Sequence, residues 1–455
     1  MSQHDVIVIG AGPAGEACAG ALAGEGLDVA LVERDLIGGE CSFWACMPAK
    51  ALLRPAELLY EVDRVPGARE AVTGELAAQA VLDRRDEVIH DLDDSVQLPW
   101  IEDREITLLR GRARLDGERR VRLDEQDRLL QARRAVVIAV GSGAAIPPVP
   151  GLREIAAWTN REATTAKHVP GRLTILGGGV VGCELAQAWS SLGSEVVLVE
   201  GLPRLLSREE PFAGEQLAES LRERGVDVRL GIEAVQARHD DGEFTLTLDG
   251  GEELRSDELL VAVGRRPHTG ELGLETVDLA PGETIEVDDR MRVPGRDWLY
   301  AIGDVNGRAL LTHAGKYQAR VAAAVIMNRD MRAESDGALS PRVTFTEPQV
   351  AAVGQTLEAA LEAGVQARAV DAEIGATPGA SFVGKGAPGS ARWVIDETRE
   401  VIVGATFTGP EVAEWLHAAT IAVVGEVPLH RLAHAIPAFP TRSEVWLKLL
   451  DAGRP

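Results

Sequence analysis

Short apolar segments recur in a regular order along this chain. Residues 5–9 and 29–32 form one pair of mostly aliphatic segments, and residues 173–176 and 196–199 form a second pair. Each segment has the length of a short strand, and the stretch between the two members of a pair is typical of a helix. The pattern therefore predicts two separate β-α-β units.

Three glycines at identical spacing follow the first strand of each unit, and an acidic residue follows each second strand. The glycines are Gly10, Gly12 and Gly15 in the first unit and Gly177, Gly179 and Gly182 in the second. Glu33 and Glu200 each lie 23 residues after the first glycine of their unit. In this Rossmann fingerprint the glycines let backbone N–H groups and a helix N-terminus approach a pyrophosphate, and the carboxylate accepts hydrogen bonds from a ribose. We therefore expect the chain to bind two dinucleotides.

Two of the four cysteines, Cys41 and Cys46, lie directly after the first unit. In a regular helix, residues five apart are separated by about 7.5 Å along the axis, whereas a disulfide needs its Cα atoms within about 7 Å. The pair can join only in a distorted turn, and we expect Pro48 to favour one by biasing Met47 away from the helical region. The alternative interpretation is that both cysteines are small buried side chains with no chemical role. If the pair is redox-active, the first unit is expected to bind a flavin, which exchanges electrons with sulfur, and the second a nicotinamide.

Composition and charge narrow the classes of function. A chain of 455 residues is too long for one core and predicts about three domains. Its 71 acidic residues against 47 basic ones give a formal charge of −24, which argues against a nucleic-acid partner. The sequence shows no basic leader and no run of eighteen apolar residues, so we expect a soluble cytoplasmic protein that does not bind a membrane. We expect no metal site. In the reducing cytoplasm a cysteine pair is more often catalytic than structural. Only five basic residues are lysines, and one of them, Lys50, follows Cys46 by four positions.

The order of these features resembles the class I pyridine nucleotide-disulfide oxidoreductases, and the resemblance covers nearly the whole chain. Residues 138–151 and 260–267 are similar to the family's two crossovers between its dinucleotide domains, residues 300–304 to its second flavin motif, and residues 343–348 to the start of its interface domain. The resemblance implies an α/β fold with two Rossmann-like dinucleotide-binding domains, for FAD and NAD(P), and a C-terminal α+β dimerisation domain. The implied boundaries are 1–150 and 271–336 for the FAD domain, 151–270 for the NAD(P) domain and 337–455 for the interface domain.

The resemblance also assigns residues to the cofactors. Those implied for FAD are Gly10, Gly12, Gly15, Glu33, Gly39, Ala113, Gly141, Ser142, Gly303 and Asp304, and those implied for the nicotinamide cofactor are Gly177, Gly179, Gly182, Glu200 and Gly264. Asp304 is expected to hold the ribitol chain. A carboxylate at Glu200 accepts hydrogen bonds from a ribose hydroxyl but repels a 2′-phosphate, so NADH is the expected cofactor. Arg204 lies four residues later and could bind a 2′-phosphate, so NADPH stays an alternative cofactor.

For the chemistry, the resemblance implies a redox-active disulfide between Cys41 and Cys46. Cys46 is expected to face the flavin and Cys41 to attack the substrate. Lys50 is similar to a family lysine near the flavin N5 that pairs with a glutamate, here Glu184, although Glu184 taken alone would be an ordinary helix carboxylate. Electrons would pass from NADH through FAD to the disulfide and on to a small-molecule acceptor.

The C-terminal motif departs from the family. Disulfide-reducing members carry His-Pro-Thr-x-x-Glu, contributed across a dimer interface, with the histidine as acid and base for the substrate thiol. This chain keeps Pro440, Thr441 and Glu444 but has Phe439 in place of the histidine. A phenyl ring cannot transfer a proton. We therefore expect a homodimer whose active site is completed by the second subunit and whose acceptor is a quinone, an unusual disulfide or a similar molecule.

Several alternatives stay open. The 2-ketopropyl-coenzyme M carboxylase of this family also has a phenylalanine there, where withholding a proton protects a carbanion, but it lacks the counterpart of Glu444. Mercuric reductases use a C-terminal cysteine pair, and no cysteine follows Cys183 here. A sensor that binds FAD and NADH without turnover is the competing class. Phe43 and Trp44 would form either an apolar wall of the substrate cleft or part of the core. The histidines that could replace the missing one are His313, His417, His430 and His434.

Overall fold

The chain is described by a computed structural model that covers residues 2–124, 127–385 and 389–453. These residues belong to two compact units. The first comprises the described residues of 1–48, 86–145 and 265–337, and the second those of 49–85, 146–264 and 338–455. The predicted division into FAD, NAD(P) and interface domains is finer than this and places residues 49–85 with the first unit, so its boundaries stay a prediction.

The strands of the described residues are β1 (Ser2–Ile9), β2 (Val29–Glu33), β3 (Thr107–Arg110), β4 (Ala113–Leu115), β5 (Arg120–Leu123), β6 (Arg128–Ile138), β7 (Ser142–Ala144), β8 (Arg172–Leu176), β9 (Glu195–Glu200), β10 (Asp227–Leu230), β11 (Ala234–Asp240), β12 (Glu243–Leu248), β13 (Glu253–Ser256), β14 (Glu258–Val261), β15 (Arg265–Pro267), β16 (Leu299–Ala301), β17 (Arg342–Thr344), β18 (Gln349–Gly354), β19 (Ala367–Glu373), β20 (Ser390–Asp396) and β21 (Val401–Gly409).

The α-helices of the same residues are α1 (Pro13–Ala23), α2 (Gly39–Phe43), α3 (Cys46–Asp63), α4 (Ala78–Val88), α5 (Leu98–Glu102), α6 (Asn160–Thr165), α7 (Val180–Ser191), α8 (Pro211–Glu223), α9 (Thr312–Ile326), α10 (Leu357–Glu362), α11 (Val412–Val424), α12 (Leu429–Leu432) and α13 (Val445–Ala452).

In the described part of the first unit, seven strands form one sheet in the order β3-β2-β1-β6-β5-β4, with β16 paired to β6. Strands β1, β2, β3, β6 and β16 run parallel, whereas β5 pairs antiparallel with both β4 and β6. The two halves of β6 have different neighbours, because residues 128–131 pair with β5 and residues 136–138 with β16. A separate ladder joins β7 to β15.

Residues 6–9 of the central strand β1 are buried on both faces, which is why this half of the strand is continuously apolar. Val6 and Val8 pack in one cluster with helices α1 and α9, and Ile7 and Ile9 pack in a second cluster on the opposite face. Helix α1 starts with Pro13, whose fixed φ suits a first helical turn. The sheet is therefore enclosed, and its carboxyl edge carries the first glycine loop.

The second unit repeats this plan in a parallel sheet of order β10-β9-β8-β14. Leu173 and Ile175 of β8 pack in one cluster with helix α7, while Leu176 packs in another with the antiparallel sheet β11-β12-β13. The predicted strands all occur in the structure with extensions of about one to three residues, and the predicted α/β class is confirmed.

The C-terminal part of the second unit is an antiparallel sheet of order β17-β18-β21-β20-β19. Trp393 and Phe407 from the sheet pack with Leu416 of α11 and Leu449 of α13 in one buried cluster. This α+β arrangement is the predicted one. Among the described residues, no helix combines the length and the apolar character needed to cross a membrane.

A pH-dependent stability follows from Glu16 in the first turn of α1. Burial raises the pKa of Glu16 to about 7, against the attraction of Lys316 on α9. Because the folded protein binds this proton more tightly than the unfolded chain, folding stability falls as the pH rises from about 4.5 to about 7. We expect Glu16→Gln to stabilise the fold at pH 8 relative to pH 5 by on the order of 1 to 3 kcal/mol. Urea unfolding of both proteins at the two pH values measures this difference.

Glu25→Gln is the matched control for Glu16→Gln. The exposed Glu25 carboxylate pairs with Arg329, and the hydrogen bond from that guanidinium lowers the pKa of Glu25. Its substitution should bring no gain in stability between pH 5 and pH 8. An equal gain in both variants would show that the effect does not come from the burial of Glu16.

Candidate functional site

The first glycine loop brings a helix N-terminus close to a strand. Gly10 has φ of +102°, and a Cβ atom there would lie 2.4 Å from the carbonyl oxygen of Ala139. A Cβ atom at Gly15 would lie 1.8 Å from the carbonyl oxygen of Gly10. Gly12 is different, because it precedes α1 in extended conformation and a Cβ atom there would meet open space. Two glycines are thus required by packing, and the third leaves room for a ligand at the helix N-terminus.

The second glycine loop has the same geometry. Gly177 has φ of +114°, and its Cβ atom would lie 2.5 Å from the carbonyl oxygen of Ala262. The Cβ atom of Gly182 would lie 1.9 Å from the oxygen of Gly177, and Gly179 again faces open space at the start of α7. The internal repeat of the sequence is therefore also a repeat in three dimensions.

Both acidic residues of the fingerprint brace their own glycine loop. Glu33 accepts hydrogen bonds from the N–H groups of Ala11 (2.6 Å) and Asp35 (2.7 Å). Burial raises the pKa of Glu33, partly offset by these two bonds. A carboxylate has about four acceptor positions, so acceptor capacity is left for ribose hydroxyls.

Glu200 makes the equivalent contacts in the second unit. Its carboxylate accepts hydrogen bonds from the N–H groups of Gly178 (2.6 Å) and Leu202 (2.8 Å). Arg204, the cation considered for NADPH, donates from Nη2 to the carbonyl oxygen of Ser207 at 3.1 Å. The carboxylate rather than the guanidinium is therefore the group fixed against the second glycine loop.

Two further residues predicted for FAD lie close to the first loop. Gly39 has φ of +57°, and a Cβ atom there would lie 2.9 Å from the Cα atom of Gly12. Ala113 is buried in β4 just after Gly111, whose N–H donates to the carbonyl oxygen of Glu33 at 2.8 Å. The glycine cradle, the open space at Gly12 and the braced acid fit a dinucleotide such as FAD.

A polar chain joins the two crossovers to the second flavin motif. Arg265 donates from Nε to the hydroxyl of Ser142 (2.7 Å) and from Nη2 to the Ser142 carbonyl oxygen (2.6 Å). The Ser142 hydroxyl in turn donates to Asp304 Oδ2 at 2.5 Å. Burial raises the pKa of Asp304, against the opposing effects of Ser142 and Arg265. Arg265 also lies 3.7 Å from Glu40, next to Cys41 in α2.

Positive-φ glycines flank this chain of polar groups. Gly141 and Gly303 have φ of +68° and +75°, and Gly264, within the return crossover, has φ of +145°. The N–H of Gly303 donates to the buried Gln318 side chain at 2.8 Å. Gly303 is thereby anchored to α9, next to Asp304.

The two cysteines meet at one hydroxyl group. Thr312 Oγ1, at the start of α9, donates to Cys41 Sγ at 3.1 Å and lies 3.5 Å from Cys46 Sγ. Cys41 lies in α2, and Cys46 is the first residue of α3, whose N-terminus favours negative charge on the sulfur. The structure thus brings together both sulfur atoms of the predicted redox pair.

The distorted turn between the cysteines does not arise as the sequence predicts. Helix α2 ends at Phe43, the next residue Trp44 has φ of −134°, and α3 starts again at Cys46. Met47 is helical, so the prediction that Pro48 forces it out of the helical region is wrong. Pro48 lies in the first turn of α3, where its missing N–H has no helical acceptor to lose.

Lys50 and Glu184 form an ion pair within the second unit. The Lys50 Nζ atom lies 2.7 Å from Glu184 Oε2, and the Glu184 side chain is only 4 % exposed. Phe345 holds the same pair in two ways, because its N–H donates to Glu184 Oε1 at 2.9 Å and its ring centre lies 4.8 Å from Nζ. Lys50 lies one helical turn after Cys46 in α3.

The C-terminal motif lines a groove of about 690 Å³ in the second unit. Glu444 accepts a hydrogen bond from the N–H of Gly379 at 3.0 Å, and Phe439 is 76 % exposed. Arg442 donates to the carbonyl oxygen of Pro410 at 2.5 Å and stacks on Trp415. The groove is lined by Glu61, Val65, Gly379, Phe382, Val383, Pro410, Glu411, Trp415, Pro440, Thr441, Arg442 and Ser443.

The remaining candidates take ordinary structural positions. Phe43 is buried and packs beside Trp44 with ring centres 5.8 Å apart. Cys18 and Cys183 are buried in α1 and α7, and burial raises the pKa of both thiols. All four candidate replacement histidines, His313, His417, His430 and His434, are exposed in this chain. Within residues 2–124, 127–385 and 389–453, no three metal-ligating side chains converge.

Three contacts of the site were not anticipated. Phe345 and Arg265 lie in segments that resemble family motifs, and Thr312 lies outside those named above, but no local pattern marks the partners of any of the three. The Cys41–Thr312 contact spans 271 positions and the Glu184–Phe345 contact 161 positions. Only the tertiary structure shows that these side chains meet.

Two family descriptions match the chain. The description "Pyridine nucleotide-disulphide oxidoreductase" matches residues 4–323, and its "dimerisation domain" matches residues 340–450. A dihydrolipoyl dehydrogenase from Chlamydia muridarum is 32 % identical over 451 residues, 97 % of this chain and 95 % of the relative. A mercuric reductase from Acidithiobacillus ferrooxidans is 32 % identical over 448 residues, 96 % of this chain and 80 % of the relative.

Solved structures agree with these matches. The Cu(II) complex of the HOCl-induced flavoprotein disulfide reductase RclA from Escherichia coli has a TM-score of 0.87 and 25 % identity, with 100 % of both chains covered. LpdA from Mycobacterium tuberculosis has the same fold, with a TM-score of 0.86 and 21 % identity over 100 % of both chains. The chain therefore belongs to the pyridine nucleotide-disulphide oxidoreductase family, whose members bind FAD and use NAD(P)H.

Proposed function

We propose that this chain is an FAD-dependent reductase that passes two electrons from NADH through FAD to a Cys41–Cys46 disulfide and then to a small-molecule acceptor. The meeting of both sulfur atoms at the Thr312 hydroxyl carries the proposal. The first glycine loop would hold FAD, and the bound group would supply the two-electron chemistry that links a nicotinamide donor to a disulfide. The remaining steps depend on the residues of this chain.

The first glycine loop supplies the site for FAD. The N-terminus of α1 at Gly12 would bind the pyrophosphate, and Glu33 would bind the adenosine ribose. Asp304 would bind the ribitol chain, held in place by the Ser142 hydroxyl. At Gly39, Gly141 and Gly303, and at the small residue Ala113, the backbone could approach the ligand closely.

The ion pair of Lys50 and Glu184 supplies a fixed positive charge. Because Glu184 is buried and Phe345 holds both partners, the ammonium is kept in one position. We propose that it lies near the flavin ring and favours the electron-rich state. Glu184 would then act through Lys50 rather than on the substrate.

The nicotinamide cofactor is proposed to be NADH. The N-terminus of α7 at Gly179 would bind its pyrophosphate, and the fixed carboxylate of Glu200 its adenosine ribose. A 2′-phosphate would meet the negative charge of Glu200. Gly264 leaves open space at the return crossover.

The homodimer is supported by apolar side chains on the part of the chain matched as a dimerisation domain. An exposed apolar set of this kind is typical of a surface that a second copy covers. The exposed side chains are Leu361, Phe382, Ile421, Val424, Ile436, Phe439 and Leu447. We propose that Phe439 and Glu444 reach the Cys41–Cys46 pair of the partner subunit and complete its site.

The acceptor is proposed to be one that does not depend on a histidine at position 439. Relatives named dihydrolipoyl dehydrogenase and mercuric reductase act on different acceptors, and the RclA structure is a Cu(II) complex. The decisive screen follows NADH oxidation with lipoamide, glutathione disulfide, quinones, Hg(II) and Cu(II) as acceptors. Many turnovers per flavin with one class identify the acceptor, whereas a single reduction of the flavin would indicate a sensor.

A second candidate activity rests on Phe439 alone. In a carbon–sulfur cleaving enzyme similar to 2-ketopropyl-coenzyme M carboxylase, an apolar residue in this position would keep protons from a carbanion. The retained Glu444, bonded to Gly379, argues against it. CO₂-dependent consumption of a thioether substrate with NADH would favour this candidate over the reductase.

The cysteine assignment predicts distinct spectra for two variants. Cys41→Ser should show a long-wavelength absorbance band without any reductant, because the Cys46 thiolate at the N-terminus of α3 would lie beside oxidised flavin. Cys46→Ser should show no band, and the unmodified enzyme should show it only after two-electron reduction. Visible spectra during reductive titration measure all three. Cys183→Ala removes a buried thiol and should behave like the unmodified protein, and identical spectra in all variants would refute the assignment.

The carboxylate at Glu200 predicts a preference for NADH. Glu200→Arg should shift the ratio of kcat/KM for NADH and NADPH toward NADPH by at least about tenfold, or roughly 1.4 kcal/mol. Glu200→Gln is the matched control, because its amide oxygen can still accept the hydrogen bond from Gly178 while the charge is lost. It should give an intermediate shift. An unmodified enzyme that already works faster with NADPH would contradict this interpretation of the acid.

Phe439 predicts weak reduction of ordinary disulfides. A positioned acid or base contributes about 10² to 10⁴ in rate, so the unmodified enzyme should reduce lipoamide poorly while NADH still reduces its flavin quickly. Phe439→His should increase lipoamide turnover, with Glu444 available to orient the new imidazole. Phe439→Leu, which also cannot transfer a proton, should not. Stopped-flow flavin reduction and steady-state turnover separate the two half-reactions, and fast lipoamide reduction by the unmodified enzyme would overturn the prediction.

A further inference from the structure

The hydroxyl of Thr312 stands between the two reactive sulfur atoms. We propose that it is a catalytic residue that passes the proton of the reduced cysteine pair between Cys41 and Cys46, so that Cys41 can attack an acceptor without a histidine. This inference rests on the proposed function, because it needs a cysteine pair that is reduced and reoxidised.

The geometry gives one hydroxyl access to both sulfurs. Thr312 Oγ1 donates to Cys41 Sγ at 3.1 Å and is 3.5 Å from Cys46 Sγ, both within the range for bonds that involve sulfur. A threonine hydroxyl has one donor and two acceptor positions. It can therefore accept from the thiol of one cysteine while it donates to the thiolate of the other.

The position of the hydroxyl is fixed by packing within the first unit. Thr312 is the first residue of α9, and a Cβ atom added at Gly315 would lie 3.2 Å from Ala14 Cβ and 3.3 Å from Gly303 Cα. One turn after Thr312, the helix thus packs tightly against both flavin motifs. The backbone that carries the hydroxyl is thus held in place before any acceptor arrives, which favours efficient proton transfer.

The proton balance of the reduced pair permits such a transfer. When two electrons from the nicotinamide cofactor break the S–S bond and one proton is taken up, one sulfur becomes a thiol and the other a thiolate. A thiol on Cys41 and a thiolate on Cys46 are converted into the reverse arrangement when the hydroxyl takes the proton from Cys41 and gives its own to Cys46. No proton or electron is gained or lost in this exchange, and Cys41 becomes the nucleophile.

This chain lacks the usual alternative at the C-terminal motif. Phe439 has no proton to give or accept, and Glu444 is bonded to the backbone of Gly379. His313 follows Thr312 directly but is exposed. Thr312, by contrast, has hydrogen-bonding contact with both sulfurs.

The experiment compares Thr312→Val and Thr312→Ser in the FAD-loaded, full-length protein. Valine has nearly the same shape as threonine without the hydroxyl, whereas serine keeps the hydroxyl without the methyl group. Each protein is reduced with one equivalent of NADH and treated with iodoacetamide, and the alkylation of Cys41 is followed by peptide mass spectrometry. We expect alkylation of Cys41 to be about ten- to a hundredfold slower in Thr312→Val, and close to the unmodified rate in Thr312→Ser.

The absorbance of the same samples distinguishes a failure of the Thr312 role from a failure of the proposed function. The long-wavelength band should persist in Thr312→Val, because the proton then stays on Cys41 and Cys46 keeps its negative charge. Unchanged alkylation in Thr312→Val, or equal slowing in both variants, would overturn the role of the hydroxyl. Slower alkylation in His313→Gln with normal alkylation in Thr312→Val would assign the role to the histidine instead. An unmodified protein that NADH does not reduce would instead refute the proposed function itself.

Discussion

The close approach of a helix to a strand at Gly15 and Gly182 is the constraint on which the rest of the site depends. At both positions a single added carbon would overlap the carbonyl oxygen of the first glycine in the loop. Without a side chain there, α1 and α7 can start directly at the carboxyl edge of their sheets, and their free N–H groups point toward open space at Gly12 and Gly179. Glu33 and Glu200 then hold each loop in this shape through one backbone N–H of the loop, and each is itself fixed by the N–H two residues further on.

The cysteine pair depends on the same loop through a second tight contact. Gly38 donates from its N–H to the carbonyl oxygen of Ala11, and Gly39 packs against Gly12. Helix α2 is thereby fixed to the first dinucleotide loop, and its interruption at Trp44 turns the chain so that Cys46 can start a new helix. The contacts with the loop that would bind FAD thus set the positions of Cys41 and Cys46. This coupling would let one short segment serve both cofactor binding and sulfur chemistry in the proposed reaction.

The local patterns of the sequence predict those features that depend on neighbouring residues. Strand identity, the two glycine loops, the acids at the ends of β2 and β9, and the α/β class all follow from local spacing, and the structure shows them. The contacts of Thr312 and Phe345 could not be predicted this way, because their partners lie far away in the sequence. The effect assigned to Pro48 failed for a different reason. The preference of the residue before a proline is weak compared with the hydrogen bonds of an 18-residue helix that starts two positions earlier.

The loss of the histidine and the presence of the Thr312 hydroxyl together restrict the chemistry that this chain can perform. A histidine accepts the proton of the attacking thiol and later returns it to the leaving thiol, so it serves both halves of disulfide exchange. A hydroxyl held between two sulfurs can only move a proton that the pair already holds, because its own ionisation is too unfavourable to store a charge. In the proposed reaction it would therefore prepare Cys41 for attack but would not protonate a departing thiolate of the acceptor. Acceptors whose reduced product needs no proton from the enzyme, or takes its proton from water, fit this arrangement better than a disulfide with a basic leaving thiolate.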